Sequence, residues 1–247
     1  MVIVRYIKQI TRALGFDIVR YKKEKLSNRD LIEHDLKVFL SSHSKLSIID
    51  VGANKGQSID LFRRNFKHAS IYSFEPSKKM YQFLINKYKD QSITKIFNFA
   101  LGENIDEKEF LNFENNELSS FLSMSESESN PFRMAGILDK EIVSIITLDS
   151  FIQDNNIKEV DLLKVDTQGY DLEVLRGCRN ALSGNRIRLI LLEVNFLEMY
   201  DKQCSFFELY NFLKQYNFEL VDFYDKTRPK KYIEWTNALF YNRSYLK

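Results

Sequence analysis

Ile48-Ile49-Asp50-Val51-Gly52-Ala53-Asn54-Lys55-Gly56 is the stretch whose reading decides the fold. An apolar run meets an acidic residue, then turns through two glycines. Leu46–Val51 therefore reads as a buried strand, and Gln57–Phe66 after it as a helix. Gly52 permits an unusual backbone angle and the close approach of a ligand. Gly56 lets the helix begin near the strand, where free N–H groups can receive an anion. A pyrophosphate-binding turn reads G-x-G-x-x-G, and here Asn54 stands at its middle glycine. The turn thus suits a smaller group, such as the amino-acid end of a nucleoside cofactor, whose ammonium Asp50 could balance. Glu75 follows the next strand, Ser70–Phe74, about 20 residues on, where a carboxylate can accept bonds from both ribose hydroxyls. In this order and spacing the features point to a nucleoside-cofactor site.

The pattern continues outward from that turn. Helices are expected at Lys78–Lys89, Leu148–Asn155, Leu172–Leu182 and Ser205–Tyr216. Strands are expected at Lys95–Ala100, Ile142–Ile146, Asp161–Val165, Arg188–Val194, Phe218–Phe223 and Asn237–Tyr241. The last two read as a hairpin around Tyr224–Thr236. Acidic residues 103–118 read as an antiparallel excursion, and Ser119–Pro131, without periodicity, as a loop that could cover a site. Strands alternating with helices predict a doubly wound α/β fold, with a seven-stranded, mostly parallel sheet covered on both faces. Residues 1–45 form an expected N-terminal helical extension, with a helix over 2–14, and 46–247 the α/β domain. Such sheets bind ligands at the carboxyl ends of their strands, which singles out Asp50, Glu75, Asp166 and Glu193.

The chain resembles the FkbM-type methyltransferases, within the class I S-adenosylmethionine-dependent superfamily. The resemblance rests on DVGANKGQS at 50–58, FEP at 74–76, NFALGE at 98–103, TLDSF at 147–151, LLKVDTQGYDLEVLRG at 162–177 and LLEV at 191–194. It covers roughly residues 46 to 242, and its specificity lies in the ordered set. Thr167-Gln168-Gly169 stands where the family often has Val-Glu-Gly or Val-Gln-Gly. Tyr170-Asp171 replaces a small residue and Glu. The resemblance implies a Rossmann-like methyltransferase domain with S-adenosylmethionine as cofactor. It implies a cofactor site of Asp50, Gly52, Asn54, Gly56, Glu75, Asn98, Ala100 and Leu101, the last two flanking the adenine. It also implies O-methylation, often of a sugar hydroxyl in a glycan or a secondary metabolite.

A hydroxyl attacks well only when its proton is accepted. His34, His43 and His68 precede the third strand, away from the expected active edge. Glu193 is therefore the first candidate for general base, and Asp166 a candidate for orienting substrate or cofactor. Ser119 and Ser120 could bind sugar hydroxyls, and Gln168 and Asn195 are further candidates for acceptor contacts. A second arrangement places Mg²⁺ on Asp166, Glu193 and Asn195, where it would lower a hydroxyl pKa.

Composition limits the partners. A net charge of +2 gives no electrostatic case for nucleic acid, so a small-molecule or glycan acceptor is expected. An RNA ribose methyltransferase and a non-catalytic cofactor-binding scaffold are the alternative readings. Arg5, Lys8 and Arg12 interrupt the apolar N-terminal run, which leaves neither a signal peptide nor a membrane span. A cytoplasmic location is expected. Residues 1–25, basic and amphipathic, could touch an anionic membrane surface or mediate a homodimer. Cys178 and Cys204 lack metal-type spacing and read as reduced thiols.

Overall fold

The computed structural model describes residues 28–41, 45–229 and 231–246. The first half runs α1 (Asn28–Leu40), β1 (Ser47–Val51), α2 (Gln57–Asn65), β2 (Ser70–Phe74), α3 (Lys78–Tyr88), β3 (Thr94–Phe97), β4 (Ala100–Leu101) and β5 (Asp106–Phe113). A helical turn, Asn116–Leu118, leads to β6 (Ile137–Ile146), α4 (Leu148–Asp154), β7 (Val160–Val165), α5 (Asp171–Arg176) and α6 (Arg179–Ser183). Then come β8 (Ile187–Asn195), α7 (Phe206–Lys214), β9 (Phe218–Thr227) and β10 (Trp235–Asn242).

Seven strands form one sheet in the order β3-β2-β1-β7-β8-β10-β9. β1 lies parallel to β2 and β7, β2 to β3, and β7 to β8. β10 runs antiparallel to both β8 and β9. This is the doubly wound, mostly parallel sheet expected from the sequence. The order reverses between β1 and β7, which opens a crevice at their carboxyl ends.

Strand alternation divides the core into two layers. Ile48, Leu189 and Leu191 face one side, with Ile32, Leu36 and Leu40 of α1, Ile59 and Phe62 of α2, and Leu84 and Tyr88 of α3. Ile49, Ile190 and Leu192 face the other, with Phe151 of α4, Leu175 of α5, Leu182 of α6 and Leu213 of α7. Each such side chain contributes about 1.5–3 kcal/mol on full burial, before the cost in entropy. α1 thus packs on the sheet itself. The expected helix over 2–14, and the proposed membrane or dimer role of residues 1–25, lie outside the described residues. No described helix is long and apolar enough to cross a membrane.

Three expectations change in detail. The strand expected at Lys95–Ala100 ends at Phe97, because the Asn98 side chain donates to the Glu75 and Pro76 carbonyls (3.0 and 2.8 Å) and turns the chain. Ala100–Leu101 and the segment expected as a strand at Ile142–Ile146 join a separate three-stranded sheet, ordered β4-β6-β5. The helix expected at Leu172–Leu182 is two helices, because Asp149 of α4 accepts the Asn180 and Ala181 N–H groups (2.8 and 2.9 Å) and starts a new one. The Ser119–Pro131 loop is irregular, as expected, but stitched down. The Asn130 side chain donates to the Ser125 and Met199 carbonyls, each at 2.9 Å. Cys178 and Cys204 are free thiols.

Candidate functional site

One cleft of about 490 Å³ runs along the carboxyl edge of the large sheet. That volume falls within the usual range of small-molecule sites. Its floor begins at the glycine turn. Gly52 has φ 80°, and a side chain there would run into the Asp166 carbonyl oxygen. β1 and β7 can therefore approach closely only with glycine at this position. Asn54 also adopts a left-handed conformation, φ 45°. Its N–H donates to Glu75 Oε2 at 2.7 Å, and the Ser77 N–H donates to Glu75 Oε1 at 2.9 Å. Glu75 is 5% exposed. Burial raises its pKa to about 7, against the two N–H bonds and the Lys164 charge, which lower it.

The expected site residues separate into two groups. Gly52, Asn54, Glu75, Ala100, Leu101, Ser119, Asp166, Gln168 and Glu193 all line this cleft. Asp50, Gly56, Asn98, Ser120 and Asn195 do not. Asp50 is fully buried and accepts from the Ser58 and Ser73 hydroxyls (2.9 and 3.2 Å), with the Lys164 ammonium at 3.4 Å. It braces the turn and has no open face for a ligand's ammonium. Gly56, φ 82°, begins α2, and its carbonyl accepts from the Tyr88 hydroxyl. Asn98 turns the chain as described above. The Ser120 hydroxyl is buried and donates to the Gln168 carbonyl at 2.8 Å, so it holds the backbone and cannot meet an acceptor. Asn195 lines a separate hollow with Phe196 and Phe207. His34 and His68 are exposed and outside the cleft. His43 lies outside the described residues.

Asp166 and Glu193 are brought together by Gln168, whose amide donates to Asp166 Oδ1 at 2.9 Å and to Glu193 Oε2 at 2.7 Å. The Tyr200 hydroxyl meets the amide oxygen at 2.9 Å and fixes its orientation. Gln168 itself is left-handed, φ 53°, a conformation that persists only where surrounding bonds hold it. Burial, then the negative charge of Asp166 and of Asp171, raise the Glu193 pKa well above the carboxylate range, with Lys164 opposing. The ionised form of a carboxyl group so raised is a stronger proton acceptor than an ordinary carboxylate.

Lys164 is a central cleft residue that the sequence reading missed. Its Nζ donates to the Gly52 carbonyl at 2.9 Å and lies 3.4 Å from both Asp50 and Asp166. Burial alone would lower its pKa, but Asp166 and Asp50 raise it. Its sequence signal was a lysine inside an otherwise apolar strand, Leu162-Leu163-Lys164-Val165. The Mg²⁺ arrangement is not assembled. Asn195 points to another hollow, while Lys164 and the Gln168 amide already meet the two carboxylates. Among the described residues no group of three or more His, Cys, Asp or Glu side chains could hold a metal.

The strap at residues 116–121 crosses the cleft. The Asn116 amide donates to the Asn54 side-chain oxygen and to Met80 Sδ, and the Asn54 amide donates back to the Asn116 carbonyl at 3.3 Å. On the opposite side, the Tyr200 hydroxyl meets the Leu118 carbonyl at 3.0 Å. The strap is therefore tied both to the glycine turn and to the pair of carboxylates.

No curated protein sequence matches the chain. Among solved structures, the METTL16 MTase domain superposes with a TM-score of 0.50 and 11% identity, over 86% of this chain and 66% of that one. An rRNA methylase from Streptococcus thermophilus gives 0.49 and 10%, over 86% and 95%. Magnesium protoporphyrin IX methyltransferase from Synechocystis PCC 6803, with bound SAM, gives 0.47 and 12%, over 96% and 90%. At these identities the likeness concerns the fold alone. The family described as Methyltransferase FkbM domain matches residues 50–220, from the glycine turn into β9. More than half of the chain is covered, and the chain belongs to the FkbM methyltransferase family.

Proposed function

We propose that this chain methylates a hydroxyl of a sugar, glycan or secondary metabolite, with S-adenosylmethionine as donor. The observation that carries the reading is one continuous cleft holding both the Gly52–Asn54 turn with Glu75 and, farther along, Glu193. The residues fit the donor. Each Glu75 oxygen has one backbone partner, which leaves lone pairs for two ribose hydroxyls. Met80, Ala100, Leu101 and Phe110 supply an apolar wall for a flat base. When bound, S-adenosylmethionine supplies a methyl carbon on a positively charged sulfur, and that bond breaks as the new oxygen–carbon bond forms.

The protein's own task is then positioning and proton removal. Glu193 would take the acceptor's proton, a contribution of roughly 10²–10⁴ in rate. Gln168, pinned by Tyr200, keeps the two carboxylates in register, and the strap lines the same cleft beside the glycine turn. The test is transfer of labelled methyl from S-adenosylmethionine to a panel of sugar and metabolite hydroxyls by the wild-type chain and Glu193→Gln. Transfer that falls about 100-fold or more in the variant, with S-adenosylhomocysteine affinity within two-fold of wild type, supports the reading. Equal turnover by the variant would remove Glu193 from the mechanism. Cofactor binding without transfer to any acceptor would favour a scaffold.

A further inference from the structure

The cleft crosses the sheet in strand order, and that order separates donor from acceptor. Glu75 lies at the end of β2, Gly52 at β1, Asp166 at β7 and Glu193 on β8. The wall then continues onto β10 with Asn237 and onto β9 with Asp225. With the nucleoside at Glu75, the stretch over β8, β10 and β9 lies beyond the reacting end. Asn237 is the direct cross-strand partner of Glu193. Asp225 reaches the cleft through a bulge, where the β9–β10 register shifts between Trp235 and Asn237. Asp225 has φ 49°, and the Thr236 hydroxyl donates to the Tyr224 carbonyl at 2.6 Å across the bulge. Bulges of this kind re-aim a side chain beside a site. Leu191 of β8 supplies an apolar wall there, and Leu61 and Ile32 add apolar lining to the same cleft.

We infer that this stretch is the acceptor subsite, that it takes an uncharged polyhydroxyl group, and that Asp225 and Asn237 set its specificity. The inference rests on the methyltransferase reading and narrows its substrate. Carboxylates and an amide oxygen accept hydrogen bonds from hydroxyls. The leucine wall packs against the C–H face of a ring. A phosphate-bearing acceptor meets the opposite conditions, with Asp166, Glu193 and Asp225 on the walls. Among the described residues lining the cleft, Lys164 is the cation, and it is committed to the Gly52 carbonyl, Asp50 and Asp166. RNA, whose affinity comes largely from phosphate contacts with Lys and Arg, finds no such contact there.

The test uses the full chain, isotopically labelled and saturated with S-adenosylhomocysteine, followed by NMR. The probes are millimolar methyl glycosides of neutral hexoses and 6-deoxyhexoses, the same hexoses as 6-phosphates, and a tetraribonucleotide. Neutral glycosides should shift the Asn237 side-chain amide and the Leu191 methyl signals, with the phosphates at least ten-fold weaker. Asp225→Ala, with its fold checked by melting temperature, should weaken the neutral probe several-fold, and Asp225→Lys should narrow the gap. Equal or tighter binding of phosphates or RNA at these signals overturns the inference. So does the failure of every glycoside to shift them in protein that binds S-adenosylhomocysteine. Absence of S-adenosylhomocysteine binding, read separately by calorimetry, overturns the methyltransferase reading and this narrowing with it.

Discussion

Glu75 and Asp50 end adjacent strands, yet their surroundings assign them different work. Glu75 faces the cleft with a pKa raised to about 7, from 4.5, chiefly by burial. Without ligand, the stability tied to this group is complete below about 4.5 and is lost as pH rises through about 7. Ribose hydroxyls bonded to the ionised carboxylate would favour the charged form. Affinity for S-adenosylhomocysteine should therefore rise with pH across that window, with proton release on binding near neutrality. Calorimetry in two buffers of different ionisation heat checks this, and a flat affinity from pH 5 to 8 would contradict it. Asp50, by contrast, is paired to Lys164 inside the protein. Asp50→Ala should cost roughly 3–5 kcal/mol of stability, since it strips a partner from a buried charge. Chemical denaturation reads that loss, and unchanged stability with selective loss of cofactor affinity would restore Asp50 as a ligand contact. Both acids were legible in the sequence as strand ends. Their difference was not, because it depends on Ser58, Ser73 and Lys164 closing around one of them.

Elements whose signal is local were legible; those defined by distant partners were not. The apolar run at 46–51, its glycine turn and the Ser205 start of α7 carry their own periodicity and cap, and Ser205 with Glu208 forms a complete capping box. The run at 142–146 was equally clear as a strand, but hydrophobicity alone cannot say which sheet it joins, and its partner β5 lies some thirty residues earlier. The strap shows the same limit. Ser119–Pro131 carries no pattern; its order comes from Gln168 and Met199, and that of the adjoining residues 116–118 from Asn54 and Tyr200. Asn116→Ala should release one end of that strap. Loss of about one hydrogen bond's net worth, roughly 1 kcal/mol, should speed S-adenosylhomocysteine dissociation about five-fold in stopped-flow measurements. An unchanged rate would mean that the strap does not limit exchange.

Across the whole molecule, strand order becomes a functional axis. β2 and β1 hold the nucleoside end, β7 and β8 hold the paired carboxylates, and the β9–β10 hairpin lies beyond them. The motifs at residues 50–58, 74–76, 162–177 and 191–194 announced the first two regions. The third was silent, because Asp225 enters the cleft only through a bulge that no sequence pattern marks. A ligand that binds the folded chain alone stabilises it by mass action, by about 2.7 kcal/mol at a hundred times its Kd. The melting temperature should accordingly rise with S-adenosylhomocysteine and stay fixed with NAD. The most direct test of the central claim is calorimetric titration of the full chain with S-adenosylhomocysteine, beside NAD and a Glu75→Ala variant. Saturable binding, weakened about ten-fold or more by the substitution and absent for NAD, is the result this account requires. A folded protein that binds no S-adenosylhomocysteine, or binds it equally well without the Glu75 carboxylate, would contradict it.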